Sequence, residues 1–494
     1  MAKVHLFLIT LLLFAVAPLL AQEPSQPVRL ELPLNVEETS AEVIALPDSS
    51  LLVYYKIGNI WNTKATFHFT TYDHRLEKVW THTANLDTDS EYIRYFTETP
   101  YTYLLFGGDD QQEYTFARIS HSTGDINVRK YELEDVDAIF EYNVLQGNYF
   151  LIARNRNDQK PLLLHLNPRS GETKILPSIY GDESTFSDML ADPVNRRLDV
   201  VLTESNGRIS RLQVKSFDAE GELLSNHFIL QQENRSLLNA EITPGDSTRK
   251  ILLGTYGTRD LRYTQGFFAA PVASQATTDQ FYNMLQLNNF LKYMKPRREE
   301  RTRRRETARL RAGKDPSYRY RLLLHDLITT PNGYVLAGEI YYPQYRNNSS
   351  PLWGTSRSMA FNRAHDGYKR THAVALGFDK DGVLLWDNTF PLRDVVTYEL
   401  THTVEVNRAP DGRVVMAYPE SGKIKYQVMD QDKFDKEERE LEILTYDEKE
   451  KIQDTSYPGI IRWYDGNFAA FGFQRIKSAD SGVRNVFYIN KISF

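Results

Sequence analysis

The chain has 494 residues, 41% hydrophobic and 25% charged, with 59 Lys or Arg against 65 Asp or Glu and a formal charge of -6. That composition excludes a disordered or collagen-like chain and leaves enough apolar mass for a large core. With no cysteine, disulfides, thiolate metal sites, cysteine nucleophiles and a lipidated cysteine are excluded as well.

At the start, Lys3 precedes an apolar run from Leu6 to Ala17, followed by Pro18 and the small Ala21 before Gln22. Such a stretch is expected to be a secretory signal peptide over residues 1–21, since it is too short to span a bilayer. Cleavage after Ala21 leaves Leu19, larger than the usual small residue, at the third position back. No later segment reaches the roughly 20 apolar residues that a membrane helix needs. The expectation is therefore an exported chain that relies on core burial alone.

Eight short apolar runs then share one character: "LLVYYKIG" from Leu51, "YLLFGGD" from Tyr103, "YFLIARN" from Tyr149, "LDVVLTES" from Leu198, "KILLGTYG" from Lys250, "GYVLAGEIYY" from Gly333, "RVVMAYPE" from Arg413 and "NFAAFGFQ" from Asn467. Each is rich in β-branched or aromatic residues, and most follow a turn signal such as "PDSS", "TPNG", "APDG" or "YDG". The turns "FDAEGELL" from Phe217 and "FDKDGVLL" from Phe378 nearly repeat each other. Taking Asp218 and Asp379 as equivalent gives the series Asp73, His121, Asn167, Asp218, Ala269, Asp379, Asp430 and Asn490, with most steps between 46 and 51 residues. That period fits a four-stranded unit. The predicted fold is an all-β propeller over residues 22–494, with about eight four-stranded blades and seven as the alternative. The eighth unit stops four residues after Asn490, while "VRLELPL" from Val28 is a spare strand. This N-terminal strand is expected to complete the last blade and close the ring.

A lesser alternative is an outer-membrane β-barrel, prompted by 30 Tyr, 25 Phe and the C-terminal Phe494 after alternating Val486, Tyr488 and Ile492. Membrane strands of about 9 to 11 residues face lipid at every second side chain. The runs here are mostly shorter and bracketed by charge.

Two segments interrupt the repeat: residues 273–318 between units five and six, and residues 343–371 within the sixth. The first is predicted helical and basic. Phe281, Met284, Leu285, Asn288, Leu291 and Met294 approximate one helix face, and Pro296 marks a break or a new first turn. Beyond it Glu299 with Arg303 and Glu300 with Arg304 stand at i, i+4, and Glu306 with Arg309 at i, i+3. Residues 295–314 hold ten Lys or Arg against three Glu, a charge of +7. Without Lys3 the exported chain carries -7, so everything outside the arm carries -14. If the stretch near Gln280 to Leu285 is the fifth outer strand, both insertions emerge on one rim.

Chemistry-bearing motifs are sparse. "FNRAHDGYKRTHAV" gathers His365, Asp366, Tyr368, Lys369, Arg370 and His372, but two histidines seven apart across a loop-to-strand change have no set mutual geometry, so a structural loop is expected. "DKDG" from Asp379 lacks the remaining oxygen ligands of a calcium loop and sits where a hairpin turn belongs, and "DQDKFD" from Asp430 has no glycine at the sixth place. His325 beside Asp326 reads as an inner-strand pair satisfied by backbone. Trp61, Trp80, Trp353, Trp386 and Trp463 fall at different points of the repeat and read as packing. No phosphate loop, nucleophile elbow or zincin pair is present, and no cofactor or metal is expected.

"TTPNGYVLAGEIYYPQY" leading to "HAVALGFDKDGVLLWDNTF" resembles repeats in many exported proteins of the Bacteroidota. The stretch from Phe290 to Phe390, with its basic arm, "YRLLLHDL" and "DGYKRTHAVALGFDKDG", is similar to uncharacterised exported propeller-like proteins of that phylum. This implies a propeller and a periplasmic or outer-membrane-associated place, with no activity attached. The first functional expectation is a non-enzymatic binding or scaffolding protein of the cell envelope, meeting an envelope protein or anionic envelope surface, not nucleic acid. Its expected contacts are Arg297, Arg298, Arg301, Arg304, Arg305, Arg309, Arg311, Trp353, His365 and Tyr368. The alternative expectation is a glycan-active enzyme, hydrolase or lyase, with acids or histidines lining an axial pocket.

Overall fold

A computed structural model describes residues 23–494 except 38, 58–62, 109–111, 178–183, 231–233, 246–248, 259, 274–279, 347–363 and 479–481. The expected signal peptide, Trp61 and Trp353 lie outside the described residues. Among the described residues eight antiparallel sheets follow one another along the chain, each built on a path of four strands in sequence order except the last, and the sixth carries two further short strands. Their innermost strands are Ala41–Ala45, Glu91–Glu98, Val136–Leu145, Thr185–Asp192, Ser236–Ile242, Arg321–Leu324 continued by Ile328–Thr330, Glu405–Arg408 and Lys451–Arg462. This is the eight-bladed propeller the repeat predicts. Eight separate sheets replace the single closed sheet of the barrel alternative.

The eighth blade is completed by Arg29–Leu32, which pairs with the last strand from Arg29↔Asn490 to Leu32↔Phe487. Arg29 fastens this seam: its guanidinium donates to Asn490 Oδ1 at 2.8 Å, Gln474 Oε1 at 2.9 Å and the Leu444 carbonyl at 2.8 Å. Closing a ring with its own first strand removes the free sheet edge that would otherwise pair with other chains.

Second strands such as Leu51–Ile57 and Ile251–Gly257 are packed on both faces by neighbouring blades, which is why they read as unbroken apolar runs rather than alternations. The interfaces between blades are separate apolar layers. That between blades five and six joins Phe267, Phe290, Leu322, Leu336 and Leu376. Each such fully buried side chain contributes about 1.5–3 kcal/mol.

The repeated "FDxxG" turns have a common cause. Asp218 accepts the N–H groups of Glu220 and Glu222 at 3.0 and 2.7 Å, and Asp379 those of Asp381 and Val383 at 2.9 and 2.8 Å. Gly221 and Gly382 take the left-handed conformation that follows, at φ +78 and +83°. In blades five and eight the third strand runs on to Pro271 and Ile492, so the landmarks Ala269 and Asn490 lie inside strands rather than at the turn.

Gln280–Asn283 is the outer strand of blade five, the condition set for both insertions to emerge on one rim. The helix face expected over Phe281 to Met294 does not form: these residues lie in that strand and the turns after it, with Met284, Leu287, Phe290 and Leu291 buried against blade six. Helix α1 spans only Pro296–Arg311. The segment expected as a long loop over 343–371 is in part a β-ribbon: Gly333–Arg346 pairs with Ala364–Asp379 beyond the blade. The two insertions meet where Tyr293 stacks on His372 with ring centres 3.8 Å apart.

Candidate active site

The eight units align on the turn from inner to second strand. Leu46, Ala409 and Trp463 each donate their N–H across that turn, to the carbonyls of Ser50, Arg413 and Asn467. The residue after each is Pro47, Pro410 or Tyr464, and the matching positions elsewhere are Pro100, Gln146, Pro193, Pro244 and Pro331. Five residues upstream of these eight stand Glu42, Tyr95, Glu141, Asp188, Asn239, Asp326, Glu405 and Gly459. All lie in, or between the two parts of, the innermost strands. Five carboxyls, a phenol and an amide thus occupy one level around the axis. Gly459 leaves the eighth position bare, since a Cβ there would meet the Phe471 ring at 2.5 Å.

The inner strands are irregular at this level. Pairing slips between Tyr92 and Arg94, Ile139 and Glu141, Phe186 and Asp188, Leu237 and Asn239, and Ser456 and Gly459. In blade six the inner strand breaks over 325–327, where His325 and Asp326 sit. A bulge re-aims side chains away from the regular alternation.

Among the described residues, the acids of blades three to five have no cationic partner in contact. Ser187 Oγ accepts the Ala240 N–H at 2.7 Å and donates to the Ala240 carbonyl at 2.9 Å, and Ile242 N–H donates to Asp188 Oδ2 at 2.8 Å. These bonds draw Asp188 and Glu241 together. Burial pushes the Asp188 carboxyl up to about 7, with repulsion from Asp326 and Glu141 adding to it against the Ile242 N–H. Burial also holds Glu241 well above the usual carboxylate range, reinforced by Asp188, Asp326 and Glu141. Glu141 rises to about 7, again mainly through burial and then Asp326, opposed by Arg94. Burial likewise raises Glu42 on blade one.

The buried acid of blade six is compensated. Glu339, on the second strand of blade six, is fully buried yet stays below its usual value. Burial pushes it up, but a bond from His325 and the charges of His325 and Arg370 outweigh that. His325 Nε2 lies 3.2 Å from Glu339 Oε1, which also accepts the N–H groups of Thr403 and Val404 at 2.8 and 2.9 Å. Arg370 Nε makes an ion pair with Glu339 Oε2 at 2.9 Å while its hydrogen bond goes to Thr403 Oγ1 at 2.7 Å. His402 stacks on His325 with ring centres 4.0 Å apart and donates from Nε2 to the Leu324 carbonyl at 2.7 Å. Burial and then repulsion from His325 bring His402 down to about 4. Glu405 is raised by burial, opposed by Arg462, whose backbone N–H reaches Glu405 Oε2 at 3.2 Å. The Arg462 side chain is 3.7 Å from Asp326.

Water reaches this lining. Arg94, Tyr95, Glu141, Asp326, His402 and Arg462 are exposed, Tyr95 by 41%. Yet desolvation is the leading cause of the shifts of Tyr95, Glu141 and His402. The lining is thus both wetted and crowded by protein. Asp326 is its electrostatic centre, acting on Tyr95, Glu141, Asp188, Glu241, His402 and Glu405 from five other blades. Among the described residues no group of three or more His, Asp or Glu is placed to hold a metal ion.

The residues expected to form a contact surface lie elsewhere. On α1, Arg297, Arg298, Arg301, Arg304 and Arg311 are exposed. Arg305 bonds Glu306 at 2.7 Å, and Arg309 donates to the Asp315 carbonyl at 3.0 Å. Glu306 is buried against Ser317, whose N–H and hydroxyl donate to it at 2.7 and 2.6 Å. Arg303 donates to the carbonyls of Leu285, Leu287 and Asn288. The arm is thus tied down by its own charged groups. Tyr368 packs edge-on against Tyr341 at 5.7 Å. His365 contributes backbone pairing with Tyr345, its side chain outside the described residues, as is Trp353. His372 is fully buried among aromatic rings, with Nδ1 2.9 Å from its neighbour Thr371.

Two expectations are corrected. His325 and Asp326 are not a backbone-satisfied pair: His325 reaches Glu339 and Asp326 faces the axis. The scaffold reading also gives way, because the reactive groups converge on the axis, where that reading placed nothing. The residues it missed carried a signal in the five-residue offset from the turn prolines, visible only once the units are aligned on that turn.

No family model and no curated protein matches the chain. Among solved structures it is similar to the polysaccharide lyase Uly1, with 10% identity and a TM-score of 0.42 over 81% of this chain and 89% of that one. It is also similar to cobalt-substituted Synechocystis apocarotenoid oxygenase, with 9% identity and a TM-score of 0.31 over 48% of this chain and 60% of that one. Both are enzymes and neither is a scaffold, but likenesses this distant say nothing of which chemistry this chain performs.

Proposed function

We propose that the chain is a glycan-active enzyme, a hydrolase or lyase, whose active site is the axial space. One observation carries this reading: carboxyls from Glu42, Glu141, Asp188, Asp326 and Glu405 stand at equivalent positions of five blades, and Glu241 joins them beside Asp188. Carboxyls that titrate near 7 hold a proton at the pH where they work and can still release it, as a general acid requires. A wet, charged lining with the exposed Tyr95 ring suits a polyhydroxylated chain better than an apolar substrate.

In the proposed step the Asp188–Glu241 pair gives its proton to the glycosidic oxygen as the C–O bond breaks. In hydrolysis a base takes a proton from water, and the water oxygen bonds to the anomeric carbon. In elimination the base takes a proton from carbon and the electron pair forms a C=C bond. Either way one proton leaves the acid and one reaches the base. Export to the cell envelope and kinship with the Bacteroidota proteins belong to the same proposal, and fractionation of the native host tests the location.

Incubation with a panel of neutral and uronate-containing polysaccharides tests the activity. New reducing ends alone identify a hydrolase; reducing ends with a new ultraviolet absorbance identify a lyase. The double variant Asp188→Asn, Glu241→Gln is expected to lose about 100-fold or more in turnover. Wild-type rates in that variant, or no cleavage of any panel member by the wild type, would sink the reading.

A further inference from the structure

Glu339 is built into the axial wall more firmly than packing of a surface histidine requires. One oxygen is fixed by two backbone N–H groups, those of Thr403 and Val404, and faces His325 Nε2 at 3.2 Å. The other is held by Arg370, fully buried and itself anchored on Thr403 and Thr397. His402 covers one face of the His325 ring and is fixed in turn by the Leu324 carbonyl. A carboxylate facing one ring nitrogen puts the proton of a neutral imidazole there. Nε2 then donates to Glu339 and Nδ1 keeps the lone pair, with no protein partner among the described residues. His325 also stands within electrostatic reach of Glu405 and adjoins Asp326 in sequence, at the axial ring. The arrangement is that of a base oriented by a third group.

We propose that Glu339 is a positioning residue that holds His325 with Nδ1 as its basic nitrogen, so that His325 takes the substrate's proton while the Asp188–Glu241 pair supplies one to the leaving oxygen. The assignment of His325 as base rests on the glycan-cleaving reading; its orientation by Glu339 does not. The proton taken from water or carbon ends on Nδ1, and Glu339 stays ionised throughout and stabilises the imidazolium.

The test combines the wild-type chain, labelled with 15N at histidine, with the variants His325→Gln and Glu339→Gln. At about pH 9, above the ordinary imidazole range, long-range 15N–1H correlation should show His325 protonated at Nε2, with the signal assigned by its loss in His325→Gln. The preference should weaken in Glu339→Gln. Turnover of the cleaved polysaccharide should fall by about 100-fold or more in His325→Gln and by a smaller factor in Glu339→Gln, in kcat more than KM. Arg304→Ala on α1 should match wild type. An Nδ1-protonated His325 in the wild type, which needs no variant to fold, overturns the positioning. A tautomer unchanged by Glu339→Gln does the same, and wild-type turnover in His325→Gln overturns the base. Absence of any cleavage by the wild type overturns the glycan reading instead, and the tautomer alone then upholds or overturns the role of Glu339.

Discussion

The axial wall of blades three to five and that of blade six bury carboxyls under similar protein, with opposite results. Glu339 meets two backbone N–H groups, His325 and Arg370, and stays ionised below its usual value. Asp188 meets the N–H groups of Ile242 and Met189 against the charges of Asp326 and Glu141 and is pushed up to about 7, and Glu241, facing Asp188, is raised well above the usual carboxylate range. Burial is the leading cause for all three. The partners decide its outcome, because desolvation penalises a charge and only an opposite charge or fixed dipoles restore it. The same contrast divides the chemistry: one side of the wall is equipped to give protons and the other to hold a base in place.

The comparison breaks most sharply if the compensated side loses one partner. Arg370→Ala leaves the buried Glu339 carboxylate without its Arg370 ion pair, held by His325 and the Thr403 and Val404 N–H groups, and urea unfolding should show a loss of about 3–5 kcal/mol. The pair Glu339→Leu with Arg370→Met should cost less than the sum of the single changes, since no bare charge remains.

The other side should respond in the opposite direction. The Asp188 and Glu241 carboxyls are both raised in the folded chain, Asp188 to about 7, so through Asp188 the folded state binds more protons between about pH 4 and pH 7, and Glu241 acts in the same direction. Their contribution to stability is fully present below that window and is lost as pH rises through it. Asp188→Asn with Glu241→Gln should therefore gain roughly 2 kcal/mol relative to wild type at pH 8 and little at pH 4, read from denaturation midpoints at the two values.

Glu306 offers a fourth buried carboxylate, on α1 and away from the axis. Burial raises it, but the donors of Ser317 and Arg305 outweigh that and hold it low, as on the compensated side. Glu306→Ala should cost about 1 to 1.5 kcal/mol and speed amide exchange over Pro296–Arg311. Arg304→Ala, exposed on the same helix, should stay within about 0.5 kcal/mol of wild type.

Much of the fold was legible in the residues. The runs from Leu51 to Asn467, the turn carboxylates Asp218 and Asp379, and the spare strand at Val28 give blade number and closure, because these are local signals repeated at a fixed period. Ala269 and Asn490 misplaced their turns, since blades five and eight lack the Asp–Gly chemistry that marks it elsewhere. The site was scarcely legible. Arg297 to Arg311 drew notice because their charge is contiguous, whereas Glu42, Glu141, Asp188, Asp326 and Glu405 are single acids spread along more than 360 residues.

By itself, then, the amino-acid order determined strands, turns and their period, which depend on neighbours a few residues apart. Strand pairing within blade six brings Glu339 to His325 and Arg370, but only the closed ring decided which acids share an axis and that Asp188 and Glu241 keep protons. Those outcomes are set by distance and desolvation between blades, and neither exists before the ring has formed.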